Sequence, residues 1–262
     1  MQTFITDDGI RIAYQIDGIA DAPALVFSNA LGTDLHMWDE QVVALGRFFR
    51  IIRYDTRGHG QSANPTEPAT IDRLGHDLVG LLDYLGIEHT HVCGLSLGGL
   101  TAQWLAATYP QQVDRAIFAN TAARIGSFES WSTRISFVER GGMGAIRDTV
   151  LARLFRPAFR SQNPEIVQHY SALLDTSNPD GYIAACAALR DADLRPIVGA
   201  IRAPCLIITS TLDEATPAAQ AEELQRAIAG STLVVLEQAA HLSNVEQPEA
   251  FNVVLREFLG VA

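Results

Sequence analysis

The chain has 262 residues, of which 48% are hydrophobic, and its formal net charge is −11. Its basic residues include arginine but no lysine. This length suits one core domain with an insertion, or at most two domains. The acidic charge argues against non-specific binding to nucleic acid or to an anionic membrane surface. The sequence shows no apolar run of about 18 residues and no secretory signal pattern at its start, so we expect no membrane association.

Strand-like and helix-like segments alternate over the first 120 residues. Two short segments around an Asp8-Gly9 turn are typical of paired strands. The continuous apolar run Ala24-Leu25-Val26-Phe27 indicates a strand buried on both faces, whereas apolar residues between Thr70 and Leu85 recur with a helical period. The patterns predict strands over 4–6, 10–16, 24–27, 50–54, 91–93 and 113–119, and helices over 37–49, 70–85 and 97–109.

The same alternation returns near the end of the chain, and a different pattern separates the two parts. Strands are predicted over 205–208 and 232–236, and helices over 217–229 and 250–259. Alternating strands and helices favour a parallel sheet covered on both faces. Residues 122–195 contain helix-like segments (131–138, 145–155, 164–174 and 179–189) without a convincing strand. We therefore predict an α/β core of residues 1–121 and 196–262, with a helical cap of residues 122–195 inserted into it.

The distribution of charge and the spacing of the cysteines indicate which ligands and which cellular compartment to expect. From Thr121 to Arg195 the chain carries nine arginines and eight acidic residues, although the protein as a whole is strongly acidic. Such a segment is a candidate for contact with an anionic ligand, while most of its arginines are expected on exposed helix faces. The three cysteines, Cys93, Cys186 and Cys205, are far apart and no Cys/His cluster has metal-ligand spacing. We therefore expect a cytoplasmic protein without disulfides or a metal site.

The stretch Gly94-Leu95-Ser96-Leu97-Gly98 has the pattern Gly-x-Ser-x-Gly between a predicted strand and a predicted helix. This is the context of a nucleophile elbow, where a tight turn projects a serine hydroxyl into a cleft. The flanking glycines permit the strained backbone and the close approach of neighbouring elements. The pattern alone arises by chance in roughly one chain in ten of this length, so Ser96 needs supporting residues.

A serine hydroxyl becomes a good nucleophile only when a base accepts its proton and a third group orients that base. His241 and Asp213 each lie in a loop directly after a predicted strand, at the edge where open α/β sheets bind ligands. The order Ser96, Asp213, His241 along the chain is the order of a nucleophile-elbow hydrolase. Asp191 and Asp193 are rival acids, but both fall in the predicted cap.

Hydrolysis through a tetrahedral intermediate also requires preorganised N–H donors, the oxyanion hole. One donor is expected at Leu97, the residue after the serine. The other is expected in the loop after the Ala24–Phe27 strand, and its spacing to Met37 and Trp38 indicates Leu31.

The whole chain resembles the α/β-hydrolases, and residues 53–62 are similar to the stretch that follows the fourth strand throughout that superfamily. More narrowly, it resembles the bacterial 3-oxoadipate enol-lactone hydrolases of aromatic degradation. The stretches that carry this narrower resemblance are residues 28–38, 94–99, 120–126 and 240–248. Many relatives have His-Gly where this chain has Asn29-Ala30, which affects the geometry expected of the oxyanion hole.

The resemblance implies a mostly parallel eight-stranded sheet with an inserted helical cap. It also implies an enzyme of the β-ketoadipate pathway that opens a five-membered enol-lactone to 3-oxoadipate, without cofactor or metal. Ser96 would attack the lactone, His241 would accept the proton and Asp213 would orient the imidazole. The acetate carboxylate of the substrate needs a cation, and Trp131 and Arg134 share a helix face at i and i+3.

Several alternatives remain open from the sequence. Arg190 and Arg124 are the next candidates for contact with the substrate carboxylate. Ser96 disfavours dehalogenases and epoxide hydrolases of this fold, which use an aspartate nucleophile. A general carboxylesterase, a perhydrolase-type esterase, a carbon–carbon bond hydrolase and a hydrolase-like ligand receptor all fit the same triad. The sequence indicates no oligomeric state.

Overall fold

A computed structural model of the chain, in which residues 1–261 are described, contains an eight-stranded sheet with the order β1-β2-β4-β3-β5-β6-β7-β8. The strands are β1 Gln2–Ile5, β2 Arg11–Gly18, β3 Ala24–Ser28, β4 Arg50–Tyr54, β5 Thr90–Leu95, β6 Val113–Ala119, β7 Cys205–Ser210 and β8 Thr232–Leu236. Strands β1, β2 and β4 pair antiparallel, and the pairs from β4 onward are parallel. The predicted mostly parallel, eight-stranded sheet is confirmed.

Helices cover both faces of this sheet, and a group of helices lies between β6 and β7. The α-helices are α1 Asp39–Leu45, α2 Ile71–Tyr84, α3 Leu97–Thr108, α4 Phe128–Gly141, α5 Arg147–Leu154, α6 Pro157–Gln162, α7 Pro164–Thr176, α8 Pro179–Asp191, α9 Ala218–Ala227, α10 Ser243–Glu246 and α11 Pro248–Leu259. Short 3-10 helices span Leu35–Trp38, Met143–Ala145 and Val198–Ala200. No helix among residues 1–261 is long and apolar enough to cross a membrane.

The central strands are apolar because they are buried on both faces. All five residues of β3 and all six residues of β7 are buried. Parallel strands covered by helices on both sides show this continuous pattern, whereas the half-exposed β8 lies at the edge of the sheet. The carboxyl ends of β3, β5, β6 and β7 therefore meet at one edge of the sheet, which is where Ser96 and Asp213 follow their strands.

The helical cap consists of α4 to α8, in which α4 packs against α8 and α5 packs against α7. The Leu242 N–H donates to the Leu154 carbonyl at 3.1 Å, which joins the cap to the core. The Leu194 N–H donates to the Ala123 carbonyl at 2.8 Å, which links the two ends of the insertion. The insertion of helices is as predicted, while its limits at residues 122 and 195 stay a prediction.

The predicted helix over residues 37–49 is wrong at both ends. Residues Leu35–Trp38 form a 3-10 turn, and α1 ends at Leu45. Gly18 explains the early end, because a Cβ on Gly18 would lie 2.1 Å from the Phe49 carbonyl and 2.8 Å from the Gly46 carbonyl. The chain after α1 is thus pressed against β2 instead of continuing as a helix. The short helices α6 and α10 were not predicted.

Candidate active site

Ser96 stands between the end of β5 and the start of α3, and only 6% of it is exposed. Its backbone has φ 59° and ψ −114°, a conformation that costs a residue other than glycine about 1–3 kcal/mol. The end of β6 stabilises this turn: the Ser96 N–H donates to the Ala119 carbonyl at 3.0 Å, and Thr121 Oγ1 donates to the Ser96 carbonyl at 2.8 Å. Ser96 therefore has the backbone geometry expected of a nucleophile elbow.

The glycines of the elbow are required by contacts between backbone atoms. A Cβ on Gly94 would lie 2.0 Å from the Gly98 carbonyl oxygen, and a Cβ on Gly98 would lie 2.1 Å from the Ser28 carbonyl oxygen. The Gly98 N–H also donates to the Asn29 carbonyl at 2.9 Å. The elbow is therefore fastened to the loop after β3, which is the loop that carries Leu31.

Asn29 anchors that loop through its side chain. Its Nδ2 donates to the Tyr54 carbonyl at 2.8 Å, and its Oδ1 accepts from Trp38 Nε1 at 3.0 Å. Asn29 thus places in the loop an amide that is hydrogen-bonded through both its nitrogen and its oxygen. Leu31 lines the same cavity as Ser96, and Leu97 is the first residue of α3, where an N–H has no intrahelical acceptor. Their roles as oxyanion donors stay predictions.

Asp213 and His241 are in direct contact. His241 Nδ1 lies 2.9 Å from Asp213 Oδ2, and each residue is about 5–6% exposed. The same Oδ2 accepts from Thr216 Oγ1 at 2.7 Å and from Asn120 Nδ2 at 2.9 Å. The other oxygen, Oδ1, accepts from the backbone N–H groups of Ala215 at 2.8 Å and Thr216 at 3.0 Å.

These partners determine the protonation of the pair. Burial alone would raise the pKa of Asp213, but the charge and hydrogen bond of His241 and the hydrogen bonds from Thr216 outweigh burial and lower the pKa to about 2. The carboxylate is therefore ionised at neutral pH and can only accept hydrogen bonds. It follows that Nδ1 of a neutral His241 carries the proton, which leaves Nε2 as the acceptor.

Ser96 and His241 line one cavity of about 460 Å³ between the core and the cap. Trp131 and Arg134 of α4 also line it, while their contact with the substrate stays a prediction. The Arg134 guanidinium lies 5.3 Å from the centre of the Trp131 ring, and its Nη1 donates to Tyr182 Oη at 3.2 Å. The cavity thus brings a cation and an aromatic side chain together with Ser96 and His241.

Comparison with known proteins agrees with this arrangement. The profile of the alpha/beta hydrolase fold family matches residues 23–248. The chain is 44% identical to 3-oxoadipate enol-lactonase 2 of Acinetobacter baylyi, over 95% of this chain and 92% of that protein, and 39% identical to its 3-oxoadipate enol-lactonase 1, over 96% and 94%. The chain belongs to the α/β-hydrolase family, in its enol-lactonase group.

A solved structure supports the same assignment. The crystal structure of the enol-lactonase from Burkholderia xenovorans LB400 superposes on this chain with a TM-score of 0.97 at 42% sequence identity. The match covers 99% of this chain and 100% of that chain. The resemblance inferred from the motifs is thereby confirmed over the whole enzyme fold.

The α/β-hydrolase cavity also contains charged residues that the sequence analysis missed. Arg153 of α5 lines it and has no hydrogen bond or ion pair with any of residues 1–261. Burial lowers the pKa of Arg153, and the nearby charge of Arg134 lowers it further. Glu214, beside Asp213, also lines the cavity, and its charge opposes this lowering of the Arg153 pKa. No periodic pattern distinguishes Arg153 from the exposed arginines of the cap, so only the folded arrangement identifies it.

The rival residues lie elsewhere in this hydrolase. Arg190 is paired with Asp191 at 2.7 Å and stacks over the Phe128 ring, and neither residue of the pair lines the Ser96 cavity. Asp193 is paired with Arg195 at 2.5 Å. Arg124 lines a second cavity, together with Arg195 and Glu223, and does not line the Ser96 cavity. Among residues 1–261 no group of His, Cys, Asp or Glu is arranged to hold a metal ion.

Proposed function

We propose that this enol-lactonase opens 3-oxoadipate enol-lactone to 3-oxoadipate through an acyl-enzyme on Ser96. The observation that supports this most strongly is the cavity itself, which is lined by Ser96, His241, Trp131, Arg134 and Arg153. A nucleophile that shares a cavity with two cations suits a small ester that carries its own negative charge.

Acylation begins when Ser96 Oγ attacks the lactone carbonyl carbon and His241 Nε2 accepts the serine proton. The negative charge that develops on the carbonyl oxygen faces the backbone N–H groups of Leu31 and Leu97. The tetrahedral intermediate then collapses, the ring carbon–oxygen bond breaks, and the imidazolium returns its proton to the departing enol oxygen. The enol remains tethered to the acyl chain and converts to the ketone of 3-oxoadipate.

Deacylation repeats the same proton transfers with water. His241 Nε2 accepts a proton from water as the water oxygen attacks the acyl carbon, and the imidazolium then protonates Ser96 Oγ as the ester bond breaks. Asp213 holds the imidazole in the required tautomer and stabilises its charged form in both steps.

The acetate carboxylate of the substrate must leave water on entering the cavity, so it needs cationic partners. We propose Arg134 as its principal contact, with Trp131 packing against the ring and Arg153 as a second cation. The guanidinium of Arg134 is already oriented by Tyr182 Oη at 3.2 Å and by the Trp131 ring. A preoriented guanidinium loses less freedom on binding than a mobile one.

We also propose a cytoplasmic location. Cys93, Cys186 and Cys205 are free and buried, and none is paired with another in the described part of the chain. Buried unpaired thiols are the usual state of cysteine in reducing compartments.

The test follows the loss of enol-lactone absorbance with the purified wild type and with a Ser96→Ala variant. Both proteins are also assayed with p-nitrophenyl acetate, an uncharged ester. We expect the enol-lactone to be hydrolysed with a kcat/KM well above that of the generic ester, and Ser96→Ala to abolish both activities. Hydrolysis of the generic ester alone would contradict the substrate and leave a carboxylesterase. Absence of both activities in the wild type would favour a ligand receptor.

A further inference from the structure

A buried polar network lies behind the Asp213–His241 pair, and Asn120 is at its centre. Asn120 follows the end of β6 and is 0% exposed. Its Nδ2 donates to Ser210 Oγ at 2.7 Å and to Asp213 Oδ2 at 2.9 Å. Its Oδ1 accepts from Ser243 Oγ at 2.5 Å. One side chain thus bridges the ends of β6 and β7 and the helix that follows His241.

The chemistry of the partners determines which way the amide points. Ser210 Oγ donates its single hydrogen to the Ala240 carbonyl at 2.6 Å, so towards Asn120 it can only accept. The ionised Asp213 carboxylate also can only accept. Both therefore require the NH₂ group of Asn120, whose two hydrogens match these two acceptors. An amide in the opposite orientation would place an oxygen against two acceptors.

The backbone of Asn120 reflects the same constraint. Its φ is +43°, in the left-handed region, which asparagine tolerates better than most residues other than glycine. The Asn120 N–H donates to the Ile208 carbonyl of β7 at 2.8 Å. With this turn at the end of β6, the Asn120 side chain reaches Asp213.

We propose that Asn120 is a positioning residue for the hydrolysis. Its amide holds the Asp213 carboxylate in the orientation that receives His241 Nδ1, and it holds Ala240, the residue before His241, through Ser210. Asn120 does not line the cavity, so it acts on the substrate only through the His241–Asp213 pair. This inference rests on the roles proposed for Asp213 and His241.

Removing the amide should affect turnover more than substrate binding. Removing a group that orients a metal ligand from behind typically changes activity by about 10–100-fold, and we take the same scale for a group that orients a catalytic carboxylate. We therefore expect kcat to fall by about 10–100-fold while KM stays within about two-fold, because no group that contacts the substrate changes.

Asn120→Gly is the primary variant, because glycine accepts a positive φ without strain and so preserves the turn. Asn120→Asp is the second variant, because it would place two carboxylates within about 3 Å and so repel the Asp213 charge. Asn252→Ala is the matched control: Asn252 is also a buried asparagine, but it bonds to Gln41 at 2.9 Å, between α1 and α11.

The readouts are kcat, KM, the thermal midpoint and the far-downfield proton resonance of His241 Nδ1–H. We expect both Asn120 variants to lose turnover and to shift or broaden that resonance, while Asn252→Ala retains both the turnover and the resonance even if its thermal midpoint falls. An Asn120→Gly variant with wild-type kcat and an unchanged resonance would overturn the proposal, and so would an equal loss of kcat in Asn252→Ala. The resonance is recorded without substrate, so it tests Asn120 even if the wild type fails to hydrolyse the enol-lactone.

Discussion

The α-carbon of Gly98 packs against the carbonyl of Ser28 so closely that a Cβ on Gly98 would lie 2.1 Å from the Ser28 oxygen. The oxygen belongs to the backbone at the end of β3, so it cannot rotate away as a side chain would. The contact joins the elbow that presents Ser96 to the loop that carries Leu31. This contact and the hydrogen bond from the Gly98 N–H to the Asn29 carbonyl thus position the two halves of the expected oxyanion hole relative to each other.

Gly98→Ala should therefore lower both stability and turnover. Overpacking of a buried contact costs about 1–3 kcal/mol, and displacement of one oxyanion donor lowers kcat by about 10²–10³-fold. Urea unfolding and steady-state kinetics measure the two effects. Gly199→Ala is the control, because the nearest atom to a Cβ there is the Ala227 carbonyl oxygen at an ordinary 3.7 Å. Equal behaviour of the two variants would contradict the steric argument.

The Asp213 carboxylate gives a pH-dependent prediction. Its pKa is lowered from 3.8 to about 2 in the folded protein, so its contribution to folding is present above about pH 4 and is lost as the pH falls towards 2. A shift of this size corresponds to about 2 kcal/mol. The difference in unfolding free energy between wild type and Asp213→Asn should therefore be largest near neutrality and shrink as the pH falls from about 4 to 2. A difference that stays constant over that range would contradict the assignment.

The same substitution gives a kinetic prediction. In the Asp213→Asn variant the side-chain NH₂ can donate to His241 Nδ1, which then has no proton of its own, so the Nδ1–H tautomer is no longer enforced. In a serine protease triad the equivalent change lowers kcat by about 10⁴-fold, and we expect a loss of about 10³–10⁴-fold for Asp213→Asn with a small change in KM. Steady-state kinetics on the enol-lactone measure it. A KM effect larger than the kcat effect would instead indicate that Asp213 acts in substrate binding.

Much of this fold and the candidate triad could be predicted because the signals are local. Apolar runs such as Ala24–Phe27 identify buried strands, and Gly-x-Ser-x-Gly combines a sterically required turn with its nucleophile. The positions of Asp213 and His241 follow from where strands end. Each of these features is determined by residues that are adjacent in the chain, so it can be identified from one sequence.

The missed features depend on contacts between residues far apart in the chain. Asn120 and Asp213 are 93 positions apart, and Arg134 and Tyr182 are 48 apart. Arg153 looks like any other cap arginine until α5 is packed over the core. The early end of α1 likewise depends on Gly18 of β2 meeting the Gly46 and Phe49 carbonyls. No periodicity in the sequence reports such contacts.

The two cavity arginines should control recognition of the substrate carboxylate. Hydrogen bonds to charged groups contribute about 1.5–3 kcal/mol, so Arg134→Gln and Arg153→Gln should each raise the KM for the enol-lactone by about 10–100-fold with a smaller effect on kcat. Hydrolysis of p-nitrophenyl acetate should change little, because that ester has no carboxylate. Arg140→Gln is the control, since Arg140 stacks on Phe137 in the same helix without lining the cavity. An unchanged KM in Arg134→Gln would contradict the proposed contact.

Arg156 and Glu246 form an ion pair that joins the cap to the helix after His241. Arg156 Nε lies 3.0 Å from Glu246 Oε2, the Arg156 N–H donates to Oε1 at 2.7 Å, and the Glu246 side chain is fully buried. Burial raises the pKa of Glu246, and Arg156 opposes that rise. Because Arg156→Ala leaves a buried carboxylate without its partner, it should destabilise the protein by about 3–5 kcal/mol at neutral pH. The loss should shrink at lower pH, where Glu246 can take up a proton.

Glu246→Gln tests the same pair from the other side. It leaves a guanidinium that is 18% exposed and can reach water, so it should destabilise less than Arg156→Ala and with little pH dependence. Arg147→Ala, which removes exposed pairs with Asp148 and Asp175, should have little effect. Urea unfolding of the three variants at several pH values measures the order. A larger loss in Glu246→Gln than in Arg156→Ala would contradict compensation of the buried charge as the source of this stability.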